Sequence, residues 1–376
     1  MEFLSVDDRF SLNSHDYLLK TTDEADVNRI SVTFFRQGEV IHTFRLPYEA
    51  QLPESRRTQL VAEYHQRHKD ELARLFQFHR QHAELELDTG ACHLLACGFL
   101  KYGMVHEAIS SLEALMKANR ATPGVHAALG EAYLKSQQYA RALDHLRLAL
   151  SARGNYADLH FQRGVCEYHL QRCEEAVGAF MQAIEINPHY GEAYFYLGLA
   201  LLLNARLAQN YELAVDLAER ASRLFCMAQS ILAPLRGESF TRGIEVLKQE
   251  NFEEAFRALS PLTAHIANHK PEIVNYEFHL RVLDEAERIR PEQVWQEIKR
   301  LQALLERYPN YPDLYHEVGF AYAVLAVSVG SKAILLYEKA LELNPAFADA
   351  QKSLRLLRND QRGFRSLLRA MLRLER

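Results

Sequence analysis

Long apolar runs and paired cysteines are both missing from this chain of 376 residues. The longest apolar runs, 194–203 and 318–329, are shorter than the ~20 residues that a membrane helix needs, so we expect no membrane span. The chain start has neither a basic segment nor an apolar core, so we expect no signal peptide. The five cysteines are odd in number and form no Cys-x-x-Cys pair, which predicts reduced, mostly buried thiols in a cytoplasmic protein.

The motifs of common nucleotide-binding and hydrolytic enzymes are also absent. The chain has no GxxxxGK(S/T), no GxGxxG after a strand, no HExxH and no GxSxG, and each absence weakens the case for an enzyme. A formal net charge of −5 gives no overall reason to expect a nucleic-acid partner. We therefore predict no catalytic residues, no cofactor, no metal and no nucleic acid.

A repeated pattern is present instead, and it is clearest in residues 123–190. Gly130 and Gly164 lie 34 residues apart, as do Ala142 and Ala176. Extending the same register finds Ala108 before these residues and Gly198 after them. A fixed period of this length predicts stacked two-helix units, each covering the apolar face of its neighbour. The mid-helix glycines, of which Gly319 is the last, predict close approach of a neighbouring backbone, since glycine costs roughly 1 kcal/mol against alanine in a helix.

The run Leu129-Gly130-x-x-Tyr133, with the alanines above and the late Pro188, resembles the tetratricopeptide repeat (TPR) signature, although no unit has the signature tryptophan. The resemblance covers about 89–345 and implies a mainly α protein, an α-α superhelix whose first helices line a concave groove. It implies about seven repeats, with 271–310 degenerate. The last repeat is expected to have two helices, around Tyr315–Tyr322 and from Ala333 onward, with two extra residues in the turn between them.

The segments on either side of the repeats lack this period. We expect 1–28 to be loop, 30–46 to be a β-hairpin that turns at Gln37-Gly38, and 54–82 to be a helix. Residues 1–88 thus form a candidate non-repeat domain. Residues 346–376 are expected to be capping helices.

Histidine pairs on the 54–82 helix, His65/His68 and His79/His82, have a spacing that suits two metal ligands. No third ligand is placed by the sequence, so we favour ordinary surface histidines.

Arginines recur every three or four residues at the C-terminus, which makes it a possible basic contact surface for an acidic partner. We favour a capping helix with its polar face in water over such a contact surface. The arginines are Arg355, Arg358, Arg362, Arg365, Arg369 and Arg373.

The resemblance implies a non-enzymatic scaffold or adaptor that binds a protein segment in its groove. In this register the groove is lined by His93, Lys101, Glu131, Lys135, Phe161, Gln162, His169, Phe195 and Tyr196. Phe161 and Phe195 either anchor the partner or fill space between helices, and the sequence does not decide between these two roles. Two further functions fit the sequence: a self-assembling structural protein, which pairs through the N-terminal hairpin and terminal helices, and an enzyme with a site in 1–88.

Overall fold

The computed structural model describes residues 4–82, 89–152, 156–208, 216–232, 235–267, 272–285, 289–309, 311–343, 351–359 and 363. The chain forms two compact units. Unit 1 consists of Met1–Thr43, Pro47–Tyr102 and Pro271–Arg376, and unit 2 consists of Phe44–Leu46 and Gly103–Lys270. Unit 1 is therefore built from two parts of the chain that are far apart in sequence. This division differs from the one expected at residue 88.

Unit 1 begins with a four-stranded antiparallel sheet in the order β1-β2-β3-β4. The strands are β1 (Ser5–Leu12), β2 (His15–Glu24), β3 (Arg29–Arg36) and β4 (Glu39–Pro47). The β3–β4 hairpin confirms the prediction, and its turn residues Gln37 and Gly38 both have positive φ angles of 50° and 88°. The loop expected over 1–28 is wrong, because β1 and β2 occupy most of it and pair from Ser5↔Thr22 to Leu12↔His15.

The sheet packs one face against helices of the same unit. Tyr17 stacks on Phe34 with ring centroids 5.3 Å apart, and Tyr17 also meets Phe76 at 5.6 Å. Phe76 belongs to α1 (Glu54–His82), a helix at the predicted position. The other helices of unit 1 are α2 (Thr89–Lys101), α13 (Tyr276–Glu285), α14 (Pro291–Arg307) and α15 (Pro312–Leu343), with a further helical stretch at 351–359.

Helix α15 corrects a second prediction. The turn expected between Tyr322 and Ala333 does not form, because α15 is one continuous helix of 32 residues. Its first half packs on α13 and α14 through Phe320, Val324 and Val327, which are all buried. The window Asp313–Lys339 is long and apolar enough to cross a membrane by length and composition alone, whereas the sequence predicted only shorter runs.

Unit 2 is a TPR-like stack of helices joined by short turns, as the fold-class prediction required. Its helices are α3 (Val105–Lys117), α4 (Pro123–Lys135), α5 (Tyr139–Ala152), α6 (Ala157–His169), α7 (Cys173–Ile186), α8 (Gly191–Ala208), α9 (Leu217–Ile231), α10 (Glu238–Lys248), α11 (Phe252–Leu259) and the unpredicted α12 (Leu262–Ala267). Gln137, Gln171 and Glu250 have φ angles of 60° at the centre of their turns, where the chain reverses. Helix α8 is longer than the other helices at this place in the repeat, with 18 residues where α4 and α6 have 13.

The repeat glycines have different surroundings from those expected. A Cβ atom on Gly130 would lie 2.7 Å from Leu146, and one on Gly164 would lie 2.6 Å from Phe180. Large side chains of the second helices therefore occupy this space, and no backbone comes as close. Gly319 is different again, because a Cβ there would meet nothing within 4 Å.

Alanine substitutions at Gly164 and Gly319 should consequently have opposite effects. We expect Gly164→Ala to lower the free energy of unfolding by about 1–3 kcal/mol, since the new methyl group overlaps the Phe180 ring. Gly319→Ala should raise it by up to about 1 kcal/mol through helix propensity. Urea unfolding followed by circular dichroism measures both values. A neutral Gly164→Ala would show that the helix pair tolerates a wider spacing.

Candidate functional site: the first-helix face of unit 2

The aromatic residues expected in the groove are largely used for packing. Phe195 is fully buried, and its ring meets Phe225 at 5.3 Å. Phe161 is also buried and meets Tyr190 at 4.9 Å and Tyr196 at 5.4 Å. These rings fill the space between helices α6 to α9, so the space-filling role holds for both phenylalanines. Phe195 is not available to a partner, which corrects the site prediction for this residue.

Tyr196 is half-buried and connects α8 to the segment that follows α11. It lies 5.4–5.9 Å from the rings of Phe161, Phe180 and Tyr168. Burial raises the pKa of Tyr196 to about 12, although a hydrogen bond with Thr263 acts in the opposite direction. The hydroxyl therefore stays protonated at neutral pH.

The polar residues predicted on α4 and α6 keep exposed surface. Glu131 and Lys135 form an i,i+4 ion pair of 3.4 Å, with side chains 40% and 37% exposed. His169 is exposed at the end of α6, and its ring stacks on Tyr139 with centroids 4.4 Å apart. Gln162 is half-buried on the same helix. Because Tyr139 begins the helix after Lys135, the stacking brings the C-terminal ends of α4 and α6 side by side.

This face carries one positive group, one negative group and a neutral imidazole. Partial burial lowers the pKa of His169 below 6.5, so its imidazole is neutral at pH 7. Lys135 and Glu131 offset each other nearby. A planar neutral ring stacked on tyrosine beside a pair of opposite charges can accept hydrogen bonds, donate them and cover an apolar side chain. It has no nucleophile with an adjacent base, which catalysis of acyl transfer would need.

His93 and Lys101 belong to unit 1, where Lys101 is part of a buried charge cluster that the sequence did not reveal. Its ammonium lies 2.7 Å from Glu71 and 3.4 Å from Glu272. Arg67 contacts Glu272 at 2.9 Å. Lys101 is therefore an internal ion-pair partner, with a side chain only 10% exposed, and the expectation that it lines an open groove is wrong. His93 lies beside Cys97, 3.7 Å from its Sγ.

The same cluster contains His68 and Tyr102, which have no exposed surface. His68 Nδ1 lies 2.9 Å from the Tyr102 hydroxyl, which donates to Glu71 at 3.1 Å. Burial lowers the pKa of His68 to about 3, so the ring is neutral. Burial alone would raise the pKa of Glu272, but the charges of Lys101 and Arg67, together with His68, hold it well below its usual range. Shifts of this kind are common in active sites. His68 and Tyr102 have no exposed surface, whereas the side chains of Arg67 and Glu272 are 27% and 23% exposed.

The histidine pairs of α1 are separated by their contacts. His65 contacts Thr21 at 3.0 Å and Asp8 at 2.9 Å, whereas His68 turns to Tyr102. His79 meets the ring of Phe99, and the side chain of His82 lies outside the described residues. Within the described part of the chain, no group of three histidine, cysteine or acidic side chains is arranged to hold a metal ion.

Of the C-terminal arginines predicted to form a contact surface, two lie among the described residues. Arg355 is exposed, and Arg358 contacts Glu338 at 2.5 Å. Arg362, Arg365, Arg369 and Arg373 lie outside the described residues, so the basic contact surface stays a prediction.

A second buried ion pair lies in unit 1 between α13 and α15. His279 Nε2 is 3.1 Å from Glu317, and its Nδ1 donates to the Asn275 carbonyl oxygen at 2.9 Å. Burial would lower the pKa of His279, but the hydrogen bond and charge of Glu317 outweigh burial and raise it. Burial would raise the pKa of Glu317, but its bonds to His279 and His316 lower it to about 2.

Comparisons with known proteins find similarity at the level of structure, without a matching family. No family model and no curated protein matches the chain. The crystal structure of MamA is similar at 22% sequence identity, covering 40% of this chain and 83% of that one, with a TM-score of 0.34. A likeness of this extent establishes neither a shared family nor a shared function.

Truncation of Phe195 should destabilise unit 2, because its ring packs inside the helix stack. We expect Phe195→Ala to lower the free energy of unfolding by about 3–5 kcal/mol, the usual cost of removing a buried aromatic ring. Thermal unfolding measures the effect, with His169→Ala on the exposed surface as the control. An unchanged melting temperature for Phe195→Ala would contradict the packing described here.

The His279–Glu317 pair should make the stability of unit 1 depend on pH. Because its folded pKa is raised, the stabilisation from His279 is complete below its unfolded pKa of about 6.5 and is lost as pH rises through the folded pKa. The part from Glu317 is complete above about 4.3 and is lost as pH falls towards its folded pKa of about 2. Melting temperatures between pH 4.5 and 9 should fall less steeply on the alkaline side for His279→Gln than for the wild type. Parallel curves would show that the pair does not titrate as described.

Proposed function

We propose that this chain is a non-enzymatic scaffold of the TPR type, which binds a segment of another protein along the first helices of unit 2. The carrying observation is that Lys135 and His169 are exposed at the ends of α4 and α6, and that Glu131, one turn before Lys135, keeps 40% of its side-chain surface. None of them is needed inside the helix stack, whose core consists of buried leucine, alanine and aromatic side chains. A surface left over by packing on a rigid repeat is where such proteins place binding residues.

The chemistry of this face favours a polypeptide with both polar and apolar side chains. The His169–Tyr139 stack offers a flat ring surface, and Lys135 and Glu131 set the register of a charged residue on either side of it. We also propose a reducing compartment such as the cytoplasm. In support, all five cysteines lie in the described part of the chain, and none is in a disulfide.

The test compares a double variant of this face with a charge reversal at an exposed lysine elsewhere in unit 2. Lys135→Glu, combined with His169→Ala, should weaken partner capture at least tenfold, which corresponds to about 1.4 kcal/mol. Lys117→Glu is the matched control, because Lys117 is also an exposed lysine in the last turn of a helix of unit 2. Proteins captured from native lysate by each variant are quantified by mass spectrometry.

Both variants must first show wild-type helix content and melting temperature. A protein captured equally by wild type and control but lost with the double variant supports the proposal. Equal capture by all three proteins would contradict a binding role for this face.

A further inference from the structure

Helix α15 has two apolar faces, of which only one is covered. Leu314, Phe320 and Val324 lie in the core of unit 1 against α13 and α14. On the other face, large apolar residues recur every seven positions and are 42–69% exposed. They are Tyr315, Tyr322, Val329 and Leu336. A helix that is apolar all round is normally buried all round. Within the described residues, Tyr322 contacts Trp295 and Gln302, but most of the outer face of α15 stays exposed.

Small residues alternate with the large ones along this face. Gly319, Ala326 and Ala333 each follow a large residue by four positions and precede the next by three. This spacing is the 3.5-residue period of two helices that pack along a shared seam. We call the seven residues from Tyr315 to Leu336 the α15 seam.

Gly319 has no role in packing within the described residues. The corresponding glycines of unit 2 sit under a leucine or phenylalanine, but a Cβ on Gly319 would meet nothing within 4 Å. Glycine inside a helix costs about 1 kcal/mol against alanine, so an unexplained glycine on an exposed face indicates that something approaches it closely. The approaching group is not supplied by the described part of this chain.

The order of sizes in the seam is symmetric about Ala326. Read in either direction from Ala326, the seam gives the same alternation, with small Gly319 and Ala333 and with large residues at both ends. A surface that reads the same in both directions is self-complementary about a two-fold axis. We propose that a second copy of this chain packs antiparallel on the α15 seam, with the two Ala326 residues at the axis. Tyr315 then faces Leu336 of the second copy, and Tyr322 faces Val329.

The size of the seam sets the strength of this pairing. From residue 315 to 336 a helix extends about 32 Å, and a strip ~10 Å wide along it covers only about 300 Å² per copy. Trp295 adds to this area, since its ring is 45% exposed and lies edge-on to Tyr322 at 6.1 Å. Stable interfaces bury about 800 Å² per partner, so the dimer is weak and depends on concentration.

A lipid bilayer is the competing occupant and fits less well. The covered face of α15 holds the buried Glu317 in its ion pair with His279, so a membrane-spanning α15 would have to break this pair and leave the core of unit 1. Lipid chains also gain nothing from an exact alternation of large and small residues.

The experiment uses the full chain and two matched variants. Val329→Glu places a charge in the seam, whereas Leu335→Glu places the same charge at another exposed apolar residue of α15 that lies outside the seam. Sedimentation velocity from about 1 to about 100 µM covers the range expected of a weak complex. The wild type and Leu335→Glu should shift from monomer to dimer, and Val329→Glu should weaken the dimer at least tenfold. A wild type that stays monomeric throughout, or a Val329→Glu variant that dimerises normally, overturns the proposal.

Cysteine cross-linking tests the direction of pairing. In a Cys226→Ser background, which removes the exposed native thiol, one chain carries Gly319→Cys and another carries Ala333→Cys. Antiparallel pairing predicts cross-links in the mixture well above those in either chain alone. Cross-links that form as readily within each variant alone overturn the antiparallel arrangement.

A vesicle experiment distinguishes a second copy of this chain from a lipid bilayer as the partner of the α15 seam. Phosphatidylcholine vesicles with one-fifth phosphatidylserine are spun with the wild type and with Val329→Glu. Dimerisation without vesicle binding is the expected result. A monomeric wild type that sediments with vesicles, and loses this with Val329→Glu, overturns the proposal in favour of a membrane surface.

Discussion

A small residue on one helix facing a large side chain on the next is the contact on which unit 2 depends. Gly130 faces Leu146, Gly164 faces Phe180, Gly198 faces Phe225 and Gly243 faces Leu259, in each case at a position where a methyl group would overlap. Each glycine allows the two helices of its repeat to approach closely. Because the same contact recurs in each of these repeats, successive helix pairs stack at a similar distance. Protein interiors are close-packed, so a change at one pair is felt along the stack.

The sequence predicted those helices whose apolar repeat pattern matches the way they pack in the structure. The helices from α4 to α7 follow the 34-residue period. Strand β2 escaped prediction because Thr21 and Asp23 occupy inward positions and conceal its alternation. Asp23 is held there by the Tyr48 hydroxyl at 2.6 Å and by Arg57 at 3.2 Å. Partners this distant in sequence leave no local signal.

The site was predicted less well than the fold for the same reason. Exposure at a repeat position depends on which neighbour covers it, and the sequence alone does not say that Phe225 covers Phe195. The charge cluster of unit 1 joins Arg67 and Lys101 to Glu272, and Arg67 lies 205 positions before Glu272 in the sequence. In α15, Gly330 is buried and Ser328 bonds the Ile289 carbonyl oxygen, so residues that resemble a turn continue the helix.

The discontinuity of unit 1 has a consequence for synthesis of the protein. The sheet and α1 are made first, but Glu272 and helices α13 to α15, which complete their unit, follow only after all of unit 2. At about 5–20 residues per second, the ribosome needs roughly 10–30 s to make the residues in between. During this time Arg67 lacks the Glu272 carboxylate and Lys101 has only that of Glu71. The apolar residues of α1 and α2 also lack part of their cover. Unit 2, by contrast, has nearly all of its own residues as soon as it emerges. The unit that begins second is therefore the first to have all of its residues: the middle of the chain can complete its core while the unit that contains both ends still waits for its last helices.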